Sequence, residues 1–257
     1  MSKRVCMGNE AIALGAARAG VSVVSGYPGT PSTEIIETLI REKIPGIEVQ
    51  WSTNEKAALE VAAGAAYSGA RSMVTMKQVG LNVAADPLMS LSYVGVEGGM
   101  VVVVADDPGP WSSQTEQDTR HFAKYSNLPV FDPSSPEEAY EMVSYAFDLS
   151  EEFRLPVFLR PTTRVCHASA TVDLADVHEP RPASGFVKRP DWIIFPALSY
   201  RKHGELEQKQ KLLSEKFGTL PFNKIKKGGR SGIAVSGISY LYLTEVIREF
   251  GLDLTVF

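Results

Sequence analysis

Three short stretches of this sequence place proton-carrying and hydroxyl side chains where proline and glycine hold the backbone. They are YPGTPST at residues 27–33, NEKAALE at 54–60 and ADDPGPWSSQTEQDTR at 105–120. In the first, Gly26, Pro28, Gly29 and Pro31 stiffen a bend that carries Tyr27, Thr30, Ser32 and Thr33. A simple connection needs one or two turn residues, so four suggest a backbone shaped for contact. The plain alternative is a proline-stiffened strand-to-helix turn, with Pro31 at the first helical position and Thr30 as N-cap. In the second, Glu55 opens an alanine-rich helix, where a carboxylate can hold or pass a proton inside a pocket. Ser52-x-x-Glu55 also matches a capping box, in which the carboxylate only caps its own helix. Glu60, one turn on, faces solvent or a partner.

In the third stretch Asp106 and Asp107 end a strand. Two carboxylates can bind a divalent cation, yet neighbouring side chains in a strand point to opposite faces, which weighs against a metal site. KQVGLNVAADPL (77–88) reads as a further loop, with Gly80 as a turn opening a helix. His121, His167, His178 and His203 have neither ligand spacing nor a paired nucleophile, so a catalytic triad has little support. No GxGxxG or GxxxxGK[ST] follows a strand, which removes dinucleotide and P-loop readings. Cys6 and Cys166 are far apart and form no CxxC. That argues for a reducing compartment, and against a disulfide framework or an iron–sulfur cluster held by this chain.

The elements that must position these residues alternate. Short β-branched runs occur at VSVVSG (21–26), IEVQW (47–51), SMVTM (72–76), MVVVVAD (100–106) and LPVFLRP (155–161). Between them lie NEAIALGAARAG, PSTEIIETLIREK, NEKAALEVAAGAAYSGA and SPEEAYEMVSYAFDLSEE, all at helical spacing. The pattern predicts an α/β fold, a parallel sheet with helices on both faces. The unalternating MVVVVA is expected as a central strand buried on both sides.

HEPRPASGFVKRPDW (178–192) reads as a linker along a surface, and LSYRKHGELEQKQKLLSEKFG (198–218) as a charged, exposed helix. GRSGIAVSGISYLYLTEVIREFGLDLTVF (229–257) gives a strand, a helix and a further strand, the start of a second α/β domain too small to fold alone. The expected division is 1–172, 173–229 and 230–257, in a fragment or a chain completed by a partner. The 257 residues are 44% hydrophobic and 22% charged, as in an ordinary globular protein. A net charge of -4 gives no reason to expect nucleic acid. Without a membrane-length apolar window or a signal peptide, the expected location is cytoplasmic, with no membrane partner.

Taken together, GYPGTPSTEI (26–35), NEKAALEVAAGAAYSGAR (54–71), KQVGLNVAADPL (77–88) and ADDPGPWSSQTEQDTR (105–120) resemble the alpha subunits of indolepyruvate ferredoxin oxidoreductases. These belong to the thiamine-diphosphate-dependent 2-oxoacid:ferredoxin oxidoreductases. PALSYRKHGELEQK and SGIAVSGISYLYLTEV extend the resemblance over nearly the whole chain. It implies a pyrimidine-binding domain of the thiamine-diphosphate fold, followed by the start of a transketolase C-terminal-like domain. Glu55 then becomes the catalytic carboxylate facing the aminopyrimidine. The cofactor must lose a thiazolium proton to its own 4'-amino group, which requires an acid at ring N1'. The small apolar helix after Glu55 keeps water away, and desolvation makes a carboxyl a usable donor.

The resemblance also implies that Pro28, Gly80 and Leu81 line the cofactor, and that Tyr27 and Thr30 face the 2-oxoacid. Pyruvate-using relatives hold the substrate carboxylate with an arginine, yet none lies between Arg71 and Arg120. Lys77 and Arg120 are the candidates here, and a larger aromatic oxoacid would fit the gap. Mg²⁺ and 4Fe-4S clusters belong to parts of the enzyme beyond this chain, so Asp106 and Asp107 are not that metal site. The implied reaction is oxidative decarboxylation of an aryl pyruvate to an acyl-CoA, with ferredoxin as electron acceptor. A beta subunit and a diphosphate-binding domain or chain would be the partners. A non-oxidative thiamine-diphosphate decarboxylase, or a binding and assembly module without catalysis, are the alternatives.

Overall fold

The structure is a computed structural model and describes residues 2–257. Strand and helix alternate from the start: β1 (Ser2–Met7), α1 (Gly8–Arg18), β2 (Val23–Gly26), α2 (Thr33–Glu42), β3 (Glu48–Trp51), α3 (Glu55–Tyr67), β4 (Ser72–Lys77), α4 (Gln78–Val94) and β5 (Met100–Ala105). They continue through α5 (Thr119–Ser126), β6 (Val130–Phe131), α6 (Pro136–Phe153), β7 (Val157–Leu159), α7 (Thr163–His167) and β8 (Ser169–Leu174). Strands β2 to β7 form one six-stranded parallel sheet in the order β3-β2-β4-β5-β7-β6. The expected α/β architecture is therefore present, and every residue of β5 is buried, as a strand covered on both faces requires.

Helices cover both faces, α3 packing with α4, and α1 with α2 and α6. The chain leaves β2 toward β3 at one edge and leaves β4 toward β5 in the opposite direction. The connections thus reverse between β2 and β4, and in such sheets the crevice beyond the carboxyl ends at that point is where ligands bind.

Residues 77–88 depart from the expected loop. Helix α4 begins directly after Lys77 and runs through Pro87. Leu81, Ala84, Leu88 and Leu91 recur at helical spacing and are buried, so packing of that stripe outweighs the cost of the internal proline. Strand β1, antiparallel to β8, was not expected either: its mostly exposed SKRVCM carries little apolar signal.

Residues 175–189 run over the surface, held by Arg181 N to Gly20 O at 3.1 Å and Ser184 N to Ser68 O at 2.8 Å. Helix α8 (Pro196–Thr219) is largely exposed, as its charge requires, but Leu206 and Leu213, two turns apart, are buried. Then β9 (Gly232–Ile233), α9 (Ser239–Phe250) and β10 (Thr255–Val256) give a parallel strand pair with one helix, of which no residue is buried.

Candidate functional site

At the carboxyl end of β2, Gly26 pairs with Trp51 of β3 and Thr75 of β4. A Cβ there would lie 2.5 Å from Ile36 Cδ1 and 2.6 Å from Thr75 Oγ1, so only glycine lets the bend leave the sheet this tightly. The bend is braced from within. Ser32 Oγ donates to Gly29 O at 2.9 Å, Gly29 N to Thr33 Oγ1 at 2.9 Å, and Asn9 Nδ2 to Pro31 O at 2.7 Å. Helix α2 starts at Thr33 with Ser32 as N-cap. The expected cap at Thr30 is therefore corrected: residues 30–32 complete a turn first, and the Thr30 hydroxyl stays at the exposed rim with Tyr27 and Pro28.

The cap of α3 is corrected too. Asn54, not Ser52, holds that position, its side chain accepting from Ala57 N at 2.9 Å. No capping box forms, and Glu55 is free of its own helix start. Glu55 is 8% exposed, with its carboxylate against the first turn of α4. A Cβ on Gly80 would lie 2.4 Å from Glu55 Oε1, so the missing side chain is what makes room for the acid. Among the described residues no donor is hydrogen-bonded to that carboxylate. Leu81, 3% exposed, supplies an apolar neighbour in the same helical turn. Lys77, at the end of β4, runs its stem past Gly29, where a Cβ would meet its Cγ and Cδ at 3.1 Å. Glu60 is exposed.

Asp106 and Asp107 are each occupied by protein donors. Asp106 accepts from Arg160 Nε at 2.7 Å and from Thr119 N at 2.9 Å; burial pushes its carboxyl up, against the pull of Arg160. One oxygen of Asp107 takes the amides of Trp111, Ser112 and Ser113, each at 3.0 Å, and the other takes Thr163 Oγ1 at 2.8 Å. Burial would raise this acid, but those donors outweigh it and hold it below the usual carboxylate range. The two therefore shape the loop between β5 and α5, and Gln78 Nε2, bonded to Thr115 O at 3.2 Å, ties that loop to α4.

Arg120 is placed apart from the others. It bonds Asp118 at 2.7 Å and Ser236 Oγ at 3.2 Å and approaches Asp132, just past β6 at the far edge of the sheet. Its charge is taken there, whereas Tyr27, Pro28, Thr30, Lys77, Gly80, Leu81 and Glu55 all lie just past β2, at the end of β4, or in the first turns of α3 and α4.

Five buried side-chain atoms lack a hydrogen-bond partner on segments at this end of the sheet: Asn9 Oδ1, Ser52 Oγ, Gln78 Oε1, Ser113 Oγ and Thr162 Oγ1. An unmet buried polar atom costs about 1–3 kcal/mol, and such atoms usually mark water or a bound group. Of these, Gln78 Oε1 stands in the turn of α4 that also holds the Gly80 recess, and with the unclaimed Glu55 acid it suits a bound group that offers donors. Asn9 and Gln78 went unread in the sequence. Gln78 stands inside a quoted stretch, but Asn9 reaches the bend only through the packing of α1.

A family model described as pyruvate flavodoxin/ferredoxin oxidoreductase, thiamine diphosphate-binding, matches residues 14–190. Indolepyruvate oxidoreductase subunit IorA of Thermococcus kodakarensis is 46% identical over 96% of this chain and 40% of its own length. The same subunit from Pyrococcus horikoshii is 44% identical over 98% of the chain and 40% of its length. A 2-oxoglutarate synthase subunit KorA from Methanocaldococcus jannaschii is 29% identical over 74% of the chain and 55% of its length. Against these the chain spans about half or less of the relative. The solved 2-oxoglutarate:ferredoxin oxidoreductase from Magnetococcus marinus superposes with a TM-score of 0.79 over 99% of this chain and 53% of its own, at 17% identity, which speaks for the fold alone. By the family match and the curated relatives, the chain belongs to the pyruvate flavodoxin/ferredoxin oxidoreductase family and contains its thiamine diphosphate-binding domain.

Proposed function

We propose that this chain supplies the aminopyrimidine-facing half of the active site in a 2-oxoacid:ferredoxin oxidoreductase acting on indolepyruvate or a similar aryl pyruvate. The observation that carries the reading is Glu55: nearly buried, bonded to no protein donor, and seated in the recess of Gly80 at the reversal point of the sheet. When bound, thiamine diphosphate supplies the carbon nucleophile and the electron sink that decarboxylation needs. Glu55 would hydrogen-bond the pyrimidine ring nitrogen N1' of the bound cofactor. Gly80 and Leu81 form the wall beside that acid, and Pro28 closes the bend opposite.

Tyr27, Thr30 and Lys77 provide the substrate side, the hydroxyl and the ammonium meeting the carboxylate of the oxoacid. Arg120 has less claim on that role, because Asp118 already neutralises it. Relatives at 44–46% identity bear the indolepyruvate name, whereas the 2-oxoglutarate relative stands at 29%, which favours an aromatic substrate. The balanced reaction takes the oxoacid anion, coenzyme A and two one-electron equivalents of oxidised ferredoxin to acyl-CoA, CO₂, one proton and two equivalents of reduced ferredoxin. Magnesium, the diphosphate, the iron–sulfur relay and the beta subunit fall to other parts of the assembly.

Glu55→Gln in the assembled enzyme is expected to lower ferredoxin reduction by about 100-fold or more, while thiamine diphosphate still binds. An unchanged rate would overturn the assignment. Aldehyde released without ferredoxin reduction by the unmutated enzyme would favour a simple decarboxylase instead.

A further inference from the structure

A cavity of about 320 Å³ opens at the opposite edge of the sheet, before β5 begins. Its wall comes from the last turn of α4, the following Gly95 to Glu97, Arg154 and Leu155 after α6, Arg189 and Asp191 of the surface segment, and α8. Val96, Leu155 and Leu206, each at most 3% exposed, give it an apolar floor. The rest is charged, with four cations facing three carboxylates. Glu97 pairs with Arg189 and lies 3.7 Å from Arg154; Lys202 pairs with Glu205 at 3.0 Å and Asp191 at 3.4 Å. Each carboxylate on this wall is thus engaged.

Two donors are left over. Lys209 is half-buried and has no carboxylate within ion-pair reach among the described residues. Desolvation, with Lys202 and Arg154 nearby and Glu205 acting against them, pushes its ammonium below the usual lysine range. Arg189 Nε is buried without an acceptor, its guanidinium lying over the Trp192 ring at 4.5 Å. A half-buried cation among other cations is unfavourable unless an anion joins it.

We propose that this cavity is a binding site for a compact oxyanion, a carboxylate or phosphate group with at most a small apolar body. The oxyanion pairs with Lys209, and the apolar body rests on Val96, Leu155 and Leu206. The size fits, since small-molecule pockets begin near 300 Å³, and charge-assisted hydrogen bonds are the strong ones. The site is separate from the thiamine pocket: it lies at the amino ends of the strands, whereas Glu55 lies at the carboxyl ends.

Isothermal titration of the full-length subunit in its complex tests this, with inorganic phosphate and benzoate as separate probes. Saturable binding of at least one is expected, weakened roughly tenfold or more in Lys209→Met. Binding should persist in Lys209→Arg and be unchanged in Lys224→Met, an exposed lysine outside the cavity. Phosphate alone would assign a phosphoryl ligand, benzoate alone a carboxylate, and both the shared oxyanion chemistry. No saturable binding of either probe, or equal binding in Lys209→Met, would overturn the proposal. Loss of binding in Lys209→Arg as well would overturn it too, since the charge would then not be what the ligand reads.

Discussion

A Cβ on residue 80 would fall 2.4 Å from Oε1 and 2.7 Å from Cγ of Glu55, closer than packed side chains allow. The glycine is helical and has no need of a left-handed backbone, so its value lies in the space it leaves. Gly80→Ala should therefore keep the fold and move the acid. A displacement near 1 Å of a catalytic group costs on the order of 100-fold in rate, and a loss of that size in kcat is expected for the assembled enzyme. Circular dichroism should stay at the parent value. Unaltered kcat would mean that Glu55 does not act from this recess. In the sequence Glu55 stood out as a charged residue opening an alanine-rich helix, but a role facing a cofactor came only from the family resemblance. What the sequence left open was whether Ser52 claimed it. That depended on Asn54 taking the cap, a choice between adjacent residues made by the turn out of β3.

Gly15 of α1 and Gly64 of α3 both stand mid-helix, and packing treats them oppositely. In α1 a Cβ on Gly15 would lie 2.6 Å from Tyr140 O, so α1 and α6 cross at backbone distance. Gly15→Ala should force them apart and cost about 1–3 kcal/mol. Gly64 in α3 has no atom within 4 Å of such a Cβ. Gly64→Ala should stabilise by about 0.5–1 kcal/mol, since alanine fixes the helical backbone at a smaller entropy cost. Urea denaturation of both variants checks the pair, and the same sign for both would refute the packing argument. Five of the six parallel strands were legible because β-branched runs differ from amphipathic helices in period; β6, only two residues long, was not. Helix α4 was misread where Gly80, Asp86 and Pro87 imitate a loop, although its stripe from Leu81 to Leu91 was present. Strands β1 and β8 were hidden by exposure, since a strand with few buried residues has no apolar alternation to show.

At the scale of the whole chain, the β9–α9–β10 segment meets the six-stranded sheet domain at a charged seam. Ser236 Oγ donates to Asp132 Oδ2 at 2.9 Å, and Gly237, at φ +58°, packs where a Cβ would lie 2.6 Å from Asp132 Oδ1. Arg164 lies between the rings of Trp111 and Tyr242, at 5.7 and 6.0 Å. Arg120 bridges Asp118 to Ser236, and Arg160 comes within 3.8 Å of Asp118. The contacts of Ser236 with Asp132 and Arg120 join segments more than a hundred residues apart, so Arg120 gave no sign in the sequence that it would be placed at this seam. Asp118 records the arrangement. Its hydrogen bond with Arg120, helped by Arg160, lowers its carboxyl from the ordinary 3.8 to about 2. A carboxyl depressed on folding adds stability that is complete above its unfolded value and lost as pH falls through its folded value. The contribution from Asp118 should thus be intact above about pH 4 and gone near pH 2. Asp118→Asn is expected to melt below the parent at about pH 6, and the gap should narrow steadily between about pH 4 and pH 2 as the parent acid takes up its proton. Melting points taken across that range decide the matter. A gap of constant width would show that Asp118 stabilises the seam through its shape and hydrogen-bond acceptors alone, with no part for its charge.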